Sequence, residues 1–439
     1  MGQSTFRGGA HPYEGKELTM DYPIVKVEPG DELVFPMSQH IGAPATPVVS
    51  VGDTVRMGQI IGEASGYISA NVISSVSGEV KAIEPRLMSS GEKVISIVIA
   101  NDGEDKSVDD FDTEIDYNTL TKEEIRQIIK DAGIVGMGGA GFPTSVKVTP
   151  ENEEDIDYII VNGAECEPYL TSDYRLMLER TEDLVTGLQV IVSLFDNARG
   201  IIAIEDNKPE AISKLQYLTD GNPDLEVKVL KTKYPQGAER QVIYATTGRK
   251  INSQMLPADV GCIVDNVQTV LAVYDAVCRN KPSISRVVTL TGDAMAEPQN
   301  YEVRFGMSHA ELLEQAGGLK NEAAKIISGG PMMGMAMYDL NTPVVKTSSS
   351  ILAMSVDEAA LYEPTNCIHC GRCAKVCPSH LVPQMMVQAL KRNDLEHFEK
   401  IYGMECYECG TCTYVCPAKI RLTQMFKLAK REVMDKRKK

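Results

Sequence analysis

Eight of the eleven cysteines crowd into residues 367–416, as two copies of one pattern. Cys367, Cys370, Cys373 and Cys377 precede Pro378, and Cys406, Cys409, Cys412 and Cys416 precede Pro417. Each copy reads C-x2-C-x2-C-x3-C-P, a spacing that holds [4Fe–4S] clusters in pairs. Two-residue gaps let a tight loop aim three thiolates at three corners of one cubane. The fourth cysteine, held on the helix that follows, points away toward the partner cluster, and the proline ends the loop. By that rule one cluster takes Cys367, Cys370, Cys373 and Cys416, and the other takes Cys406, Cys409, Cys412 and Cys377. Structural zinc is the alternative, but it needs only four cysteines per site and has no use for the duplicated x3-C-P ending. Cys166, Cys262 and Cys278 stand alone and read as reduced, structural thiols. Clusters pass electrons singly and make no choice of substrate, so substrate chemistry must come from elsewhere in the chain.

A second candidate is Gly136-Met137-Gly138-Gly139-Ala140-Gly141, a literal G-x-G-x-x-G. A dinucleotide fingerprint of that form must follow a strand and open a helix. Here a helix over Glu123–Ala132 precedes it and Phe142-Pro143 follows, so the Rossmann reading fails. A flexible loop without a ligand is the plain alternative. Three more strings are polar and strand-terminal: Asn162–Pro168, Tyr234–Glu239 and Asp265–Thr269. Ligands gather beyond the carboxyl ends of parallel strands. Taken singly, each string is equally a capped turn.

These groups need several domains to position them. The 439 residues exceed what one core supports. Residues 1–110 alternate short β-branched runs with Gly-Asp and Ser-Gly turns, which predicts an all-β module. The pattern resembles the biotinyl/lipoyl-like barrel-sandwich hybrid. In carriers of that fold a lysine tips the hairpin; here the tip is Ser69-Ala70-Asn71, so no lipoyl or biotinyl arm is expected and the module serves structure or docking. After an acidic linker, Thr121 and Glu124 give capping-box spacing for a helix. Across 117–286, strand-like runs at Tyr158–Val161, Ile201–Ile204 and Val227–Leu230 alternate with helix-like ones at Arg175–Leu194, Lys208–Leu218 and Val267–Cys278. That alternation predicts an α/β domain with a parallel sheet. Residues 287–350 return to short strands around a helix at Ser308–Ala316 and resemble a soluble-ligand-binding β-grasp module. From 351 to 439 the spacing is helical, similar to helical ferredoxins of multi-subunit oxidoreductases.

Composition excludes some classes. A net charge of −17 argues against nucleic acid as a partner. No stretch approaches the ~18 apolar residues of a membrane span. Met1–Ala10 is polar and Gly-rich, unlike a signal peptide, which points to the cytoplasm. The end from Lys427 is basic, with seven Lys or Arg against two acids.

The string from Gly133 to Lys147 resembles the G-x-G-G-A-G-F-P-T-x-x-K loop of the large flavoprotein subunit of complex I and related NADH-oxidising subunits. The resemblance implies that backbone N–H groups of Gly136, Gly138, Gly139, Ala140 and Gly141 close on the FMN phosphate and the nicotinamide. It implies also that Phe142 packs on the nucleotide and Lys147 reaches flavin or phosphate. Met137 stands where complex I has arginine. Asn162, Glu165, Cys166 and Glu167 fall in a segment similar to N-x-D-E-S-E-P, whose Asn and acids contact FMN and NADH; Ala164 replaces one acid. Tyr234, Gly237 and Glu239 match Y-x-x-G-E-E with the second acid kept. Asn266 and Thr269 match N-N-V-E-T.

With Phe6–Pro12 (F-R-G-G-x-H-P) and the cysteine runs, the whole chain resembles the RnfC family, the C subunits of Rnf-type ion-translocating ferredoxin:NAD oxidoreductases. The resemblance implies an electron-transfer subunit that exchanges hydride with NAD(H) at FMN and passes single electrons through two [4Fe–4S] clusters. Its partners would be the other subunits of the membrane complex, including an iron–sulfur subunit that meets ferredoxin. Its place would be peripheral, on the cytoplasmic side of the membrane. Two alternatives stand beside this one. A soluble cobalamin-type reductase shares these parts but carries the barrel at its other end. A non-enzymatic relay would have lost its nucleotide site at Met137 and Ala164.

Overall fold

The computed structural model describes residues 4–438. At its centre lies a four-stranded parallel sheet, in the order Leu225–Leu230, Arg199–Glu205, Tyr158–Gly163, Cys262–Asn266. The strands are apolar on both faces because helices cover both. Ile159, Val161, Ile202 and Ile204 join the large core beside helices Thr181–Val192 and Val267–Arg279. Ile160, Ile201 and Ala203 face the other way, toward Val242 and Ile243 of helix Glu239–Thr247. The helix expected over Glu123–Ala132 is Lys122–Asp131, closed by the Thr121–Glu124 capping box.

One expected helix is two. Arg175–Leu194 divides into Ser172–Glu179 and Thr181–Val192, with Arg180 between them at φ −128°, ψ 40°. The Arg180 guanidinium is spent there on Asp183 (2.8 Å) and Asp275 (2.6 Å).

The barrel's strand pairing begins well inside the expected 1–110 span. Its two antiparallel sheets start at Glu32 and enclose Leu33, Phe35, Ile61, Val80, Ile97 and Ile99. Residues 4–24 instead form a strap along the α/β domain, with Ser4 bridged to Leu230 and Ala10 to Tyr234. Val25–Lys26 pairs with Gln299–Arg304 in another sheet. The strap lacks the alternation that gives a strand an apolar face, so Phe6 and Ala10 find burial on the α/β domain.

That other sheet belongs to the β-grasp module. It runs from Ser285–Thr291 to Ser350–Met354, past the expected end at 350, around helix His309–Gln315 capped by Ser308 and Glu311. The last segment is helical, and Met386, Phe398, Leu422, Phe426 and Ala429 form its core. Among the described residues no helix is long and apolar enough to cross a membrane.

Candidate functional site

The glycine loop closes over the carboxyl ends of the parallel strands. Its neck is fixed by Gly136 N donating to Phe142 O (2.8 Å) and Thr144 N to Ile134 O (3.0 Å). Its tip, Gly138 to Ala140, is exposed, and a Cβ built on Gly139 would meet nothing within 4 Å. Thr269 Oγ1 accepts from Met137 N at 2.9 Å. A Cβ on Gly138 would lie 2.8 Å from Asn266 Cβ, and Gly141 sits at φ +72°. Close approach demands glycine at the first position and backbone conformation at the second. Met137, the residue in place of arginine, is buried against the barrel core.

Lys147 comes to the same place. Its Nζ donates to Val264 O (2.7 Å) and Asp265 Oδ1 (3.0 Å). Burial pushes the carboxyls of Glu239 and Asp265 upward, and in each the Lys147 charge opposes that shift. Asn162 Nδ2 donates to Gly237 O (2.8 Å), and Gly237 N donates to Cys166 Sγ (3.1 Å). Buried Tyr234 lies beside Glu167 and Cys166; burial first and the Glu167 charge second hold its phenol protonated. These are the residues expected from the four strings, gathered at one edge.

Two acids have partners that the sequence did not suggest. Glu165, at φ +45°, turns its carboxylate into the protein, where it accepts from Asp173 N (2.7 Å) and Tyr174 N (3.3 Å) at the start of a helix. Glu167 accepts from Met332 N (2.7 Å) and Met333 N (3.1 Å), joining this edge to the β-grasp module.

Buried cations beneath the loop were not singled out from the sequence. Lys346 Nζ donates to Asn71 O (2.5 Å) and Gly133 O (2.6 Å), so the barrel's hairpin tip and the loop's entry share one ammonium. Burial pulls that ammonium down to about 7. Arg286 donates to Met137 O (3.1 Å) and to Lys346 O. Lys16, from the strap, donates to Glu165 O (2.8 Å) and Leu170 O (2.6 Å). Lone basic residues far apart in sequence carry no spacing signal. The exposed glycine tip, with the Arg286 guanidinium bonded to the loop beneath it, suits a phosphate-bearing ligand such as FMN.

The cysteine runs form two cavities. One, of about 240 Å³, is lined by Cys367, Cys370, Cys373 and Cys416. The other, tighter at about 20 Å³, is lined by Cys377, Cys406, Cys409 and Cys412. Each draws three thiols from one run and its fourth from the other, a donor set that fits an iron–sulfur cluster in each cavity. The third cysteine of each run, Cys373 or Cys412, lies within a short helix, Arg372–Val376 or Thr411–Tyr414, and the fourth follows that helix instead of lying on it. The duplication extends to the backbone: His369 and Glu408, then Gly371 and Gly410, all take positive φ.

The Cys406 cavity faces the α/β domain. Arg240 pairs with Glu405 (2.8 Å) and lies 5.1 Å from the Tyr407 ring centroid. Gln241 Nε2 donates to Tyr407 Oη at 3.0 Å. A Cβ on Gly410 would meet Met332 O at 2.9 Å, and the Glu167 charge acts on Cys409. The Cys367 cavity looks outward, since every residue from 361 to 370 is exposed.

A parallel-sheet nucleotide site beside a paired-cysteine helical domain defines a class of flavin and iron–sulfur oxidoreductase subunits. Family models match in the same order. They are the RnfC barrel sandwich hybrid domain over 4–104, the Nuo51 FMN-binding domain over 129–275, the SLBB domain over 287–336, and a 4Fe-4S dicluster domain over 366–420. The C subunit of the Na(+)-translocating ferredoxin:NAD(+) oxidoreductase complex from Acetobacterium woodii is 44% identical, over 99% of this chain and 98% of that one. Its counterpart in the proton-translocating ferredoxin:NAD(+) oxidoreductase complex from Clostridium ljungdahlii is 45% identical, over 87% of this chain and 83% of that one. An NAD+-reducing [NiFe]-hydrogenase shares the fold at TM-score 0.51 and 19% identity, over 62% of this chain and 53% of that one. The chain belongs to the RnfC family of ion-translocating ferredoxin:NAD oxidoreductase complexes.

Proposed function

We propose that this chain is the electron-transfer subunit that carries electrons between NAD(H) and the rest of an ion-translocating ferredoxin:NAD oxidoreductase complex. The observation that carries the reading is an open glycine loop at a sheet edge whose residues also meet the inner of two interleaved four-cysteine cavities. When bound, FMN supplies the exchange between a hydride's two electrons and the single electrons that clusters carry. The loop's tip from Gly138 to Gly141 binds the flavin phosphate through its N–H groups, with Gly136 closing the neck below and Phe142 and Lys147 on its downstream arm. Asn162, Cys166, Glu167, Tyr234, Gly237 and Glu239 line the edge, and Asn266 and Thr269 hold the loop down. Glu165 acts behind them as an anchor of the Ser172–Glu179 helix.

Cys406, Cys409, Cys412 and Cys377 hold the cluster nearer the flavin, and Cys367, Cys370, Cys373 and Cys416 hold the outer one. The exposed outer rim meets the next carrier in the complex, in an assembly that includes an iron–sulfur subunit serving ferredoxin. The chain sits peripherally on the cytoplasmic side of the membrane, and ion movement belongs to membrane subunits.

The reading is tested by reconstituting the protein anaerobically, measuring flavin and iron, and adding NADH. Bound flavin that bleaches, followed by cluster reduction, is expected. Protein with full iron that retains no flavin would instead be a relay without a nucleotide site. Glu167→Gln should slow NADH-driven reduction with iron and sulfide unchanged, and unaltered NADH kinetics would remove Glu167 from the site.

A further inference from the structure

The strap formed by residues 4–24 sends Lys16 to the nucleotide edge, but its first part, around Phe6, lines neither cysteine cavity and still touches the neighbours of both sites. Around Phe6 it is gripped by the α/β domain. Lys233 Nζ stands 3.8 Å over the Phe6 ring centroid and donates to Phe6 O and, at 3.2 Å, to Gly8 O. Thr5 Oγ1 donates to Gln236 Oε1 at 3.2 Å. Ala10 N donates to Tyr234 O (2.8 Å), and Tyr234 N donates back to Ala10 O (2.9 Å). The strap is thus stitched to Tyr234 and its neighbours on either side.

One residue earlier it is stitched to the cluster domain. Gly9 N donates to Val376 O at 2.8 Å, one residue before Cys377. A Cβ on Gly8, at φ +99°, would meet Cys377 O at 3.0 Å. A Cβ on Gly9, at φ +83°, would meet Tyr234 O at 2.9 Å. Two consecutive glycines therefore lie between the backbone at Tyr234 and the backbone at Cys377. Both take a left-handed conformation that other residues rarely adopt, and neither has room for a side chain. Burial of Phe6 alone would require none of this.

We propose that the Gly8–Gly9 pair is a positioning element that sets the separation between the nucleotide edge and the inner cysteine cavity, and so sets the rate at which electrons cross between them. The inference rests on the flavin reading above. The pair touches neither flavin nor iron and acts through the backbone at Tyr234 and Cys377. Electron transfer between fixed sites weakens steeply as their separation grows, so a small displacement of one against the other slows it.

The test uses full-length reconstituted protein carrying Gly8→Val, and separately the pair Phe6→Leu with Lys233→Met, which loosens the grip without adding bulk. Flavin and iron are measured first. NADH is then mixed anaerobically, with flavin bleaching and cluster bleaching followed as separate absorbance phases. Flavin bleaching should match wild type, while the cluster phase slows severalfold. If Gly8→Val does not accumulate as folded protein, the Phe6–Lys233 variant decides alone. Both phases unchanged in a variant whose strap has become protease-sensitive would overturn the proposal. So would flavin lost in parallel with the slower phase, since the strap would then only stabilise the fold. Wild-type protein that never bleaches with NADH would overturn the flavin reading itself and the strap proposal with it, an outcome visible before any variant is made.

Discussion

Lys346 shows what a single residue can do when it is buried with no carboxylate bonded to it. Its ammonium is shared between the carbonyls of Asn71 and Gly133, and burial pulls its pKa from the usual lysine range to about 7. In the unfolded chain the same amine keeps its proton to about 10.4. Between those values the unfolded chain binds more protons, so this group makes stability rise with pH from about 7 toward 10. Lys346→Met cannot titrate and should lose that rise. Melting curves at pH 7 and pH 9 should show wild type gaining roughly 1–3 kcal/mol more than the variant. Parallel behaviour of the two proteins would mean that Lys346 keeps an ordinary pKa. The cysteine spacing was legible because three of each set lie on one short loop, and the two cavities are lined by the same foursomes that the spacing suggests. Lys346, Arg286 and Lys16 were illegible because their partners are backbone carbonyls that only the tertiary fold brings near. Glu165 was half legible: the string placed it beside the site, but a backbone at φ +45° turned the carboxylate inward.

Among elements, the two cysteine runs behave as one interleaved unit. Cys416 faces the cavity of Cys367, Cys370 and Cys373, although forty-six positions separate Cys370 from Cys416. EPR of reduced Cys416→Ala should therefore match Cys370→Ala and not Cys409→Ala. A match to Cys409→Ala would mean that each run holds its own cluster. The swap was readable as a rule, but the reading misplaced the turn: the short helix carries the third cysteine, and the fourth lies beyond its end, in the lining of the other run's cavity. Elements with strong periodicity and caps were legible, such as Lys122–Asp131. Helix Glu239–Thr247 was not, because its Glu-Arg-Gln start carries no side-chain cap and its apolar run is only Val242-Ile243. The division at Arg180 was hidden for the opposite reason, since the pattern runs on through a break that long-range ion pairs to Asp275 sustain.

Across the whole molecule, the basic end forms part of a helix, Leu422–Lys438; Lys439 lies outside the described residues. Val433 and Phe426 are buried in the cluster domain, so removing the end would disturb the core as well as the charge. Reversing the exposed Arg431 and Lys436 to Glu isolates charge. If this end meets an anionic membrane or an acidic subunit, each reversal should cost at least ~1 kcal/mol of attraction, and the variant should leave membranes at a lower salt concentration than wild type. Identical retention at every salt concentration would make it a solvated end.

The run from 361 to 370 also has a bearing on how the protein ages. Its thiolates at Cys367 and Cys370 lie open to dissolved oxygen, while Cys377, Cys409 and Cys412 are covered by protein. The shell of protein around a metal site controls how readily solvent reaches it. In air, iron should leave the outer site first, and the EPR signal missing from Cys370→Ala should fade before the other. Partly aged protein would still accept electrons from NADH yet fail to deliver them, a dead end that counts of bound flavin would never reveal.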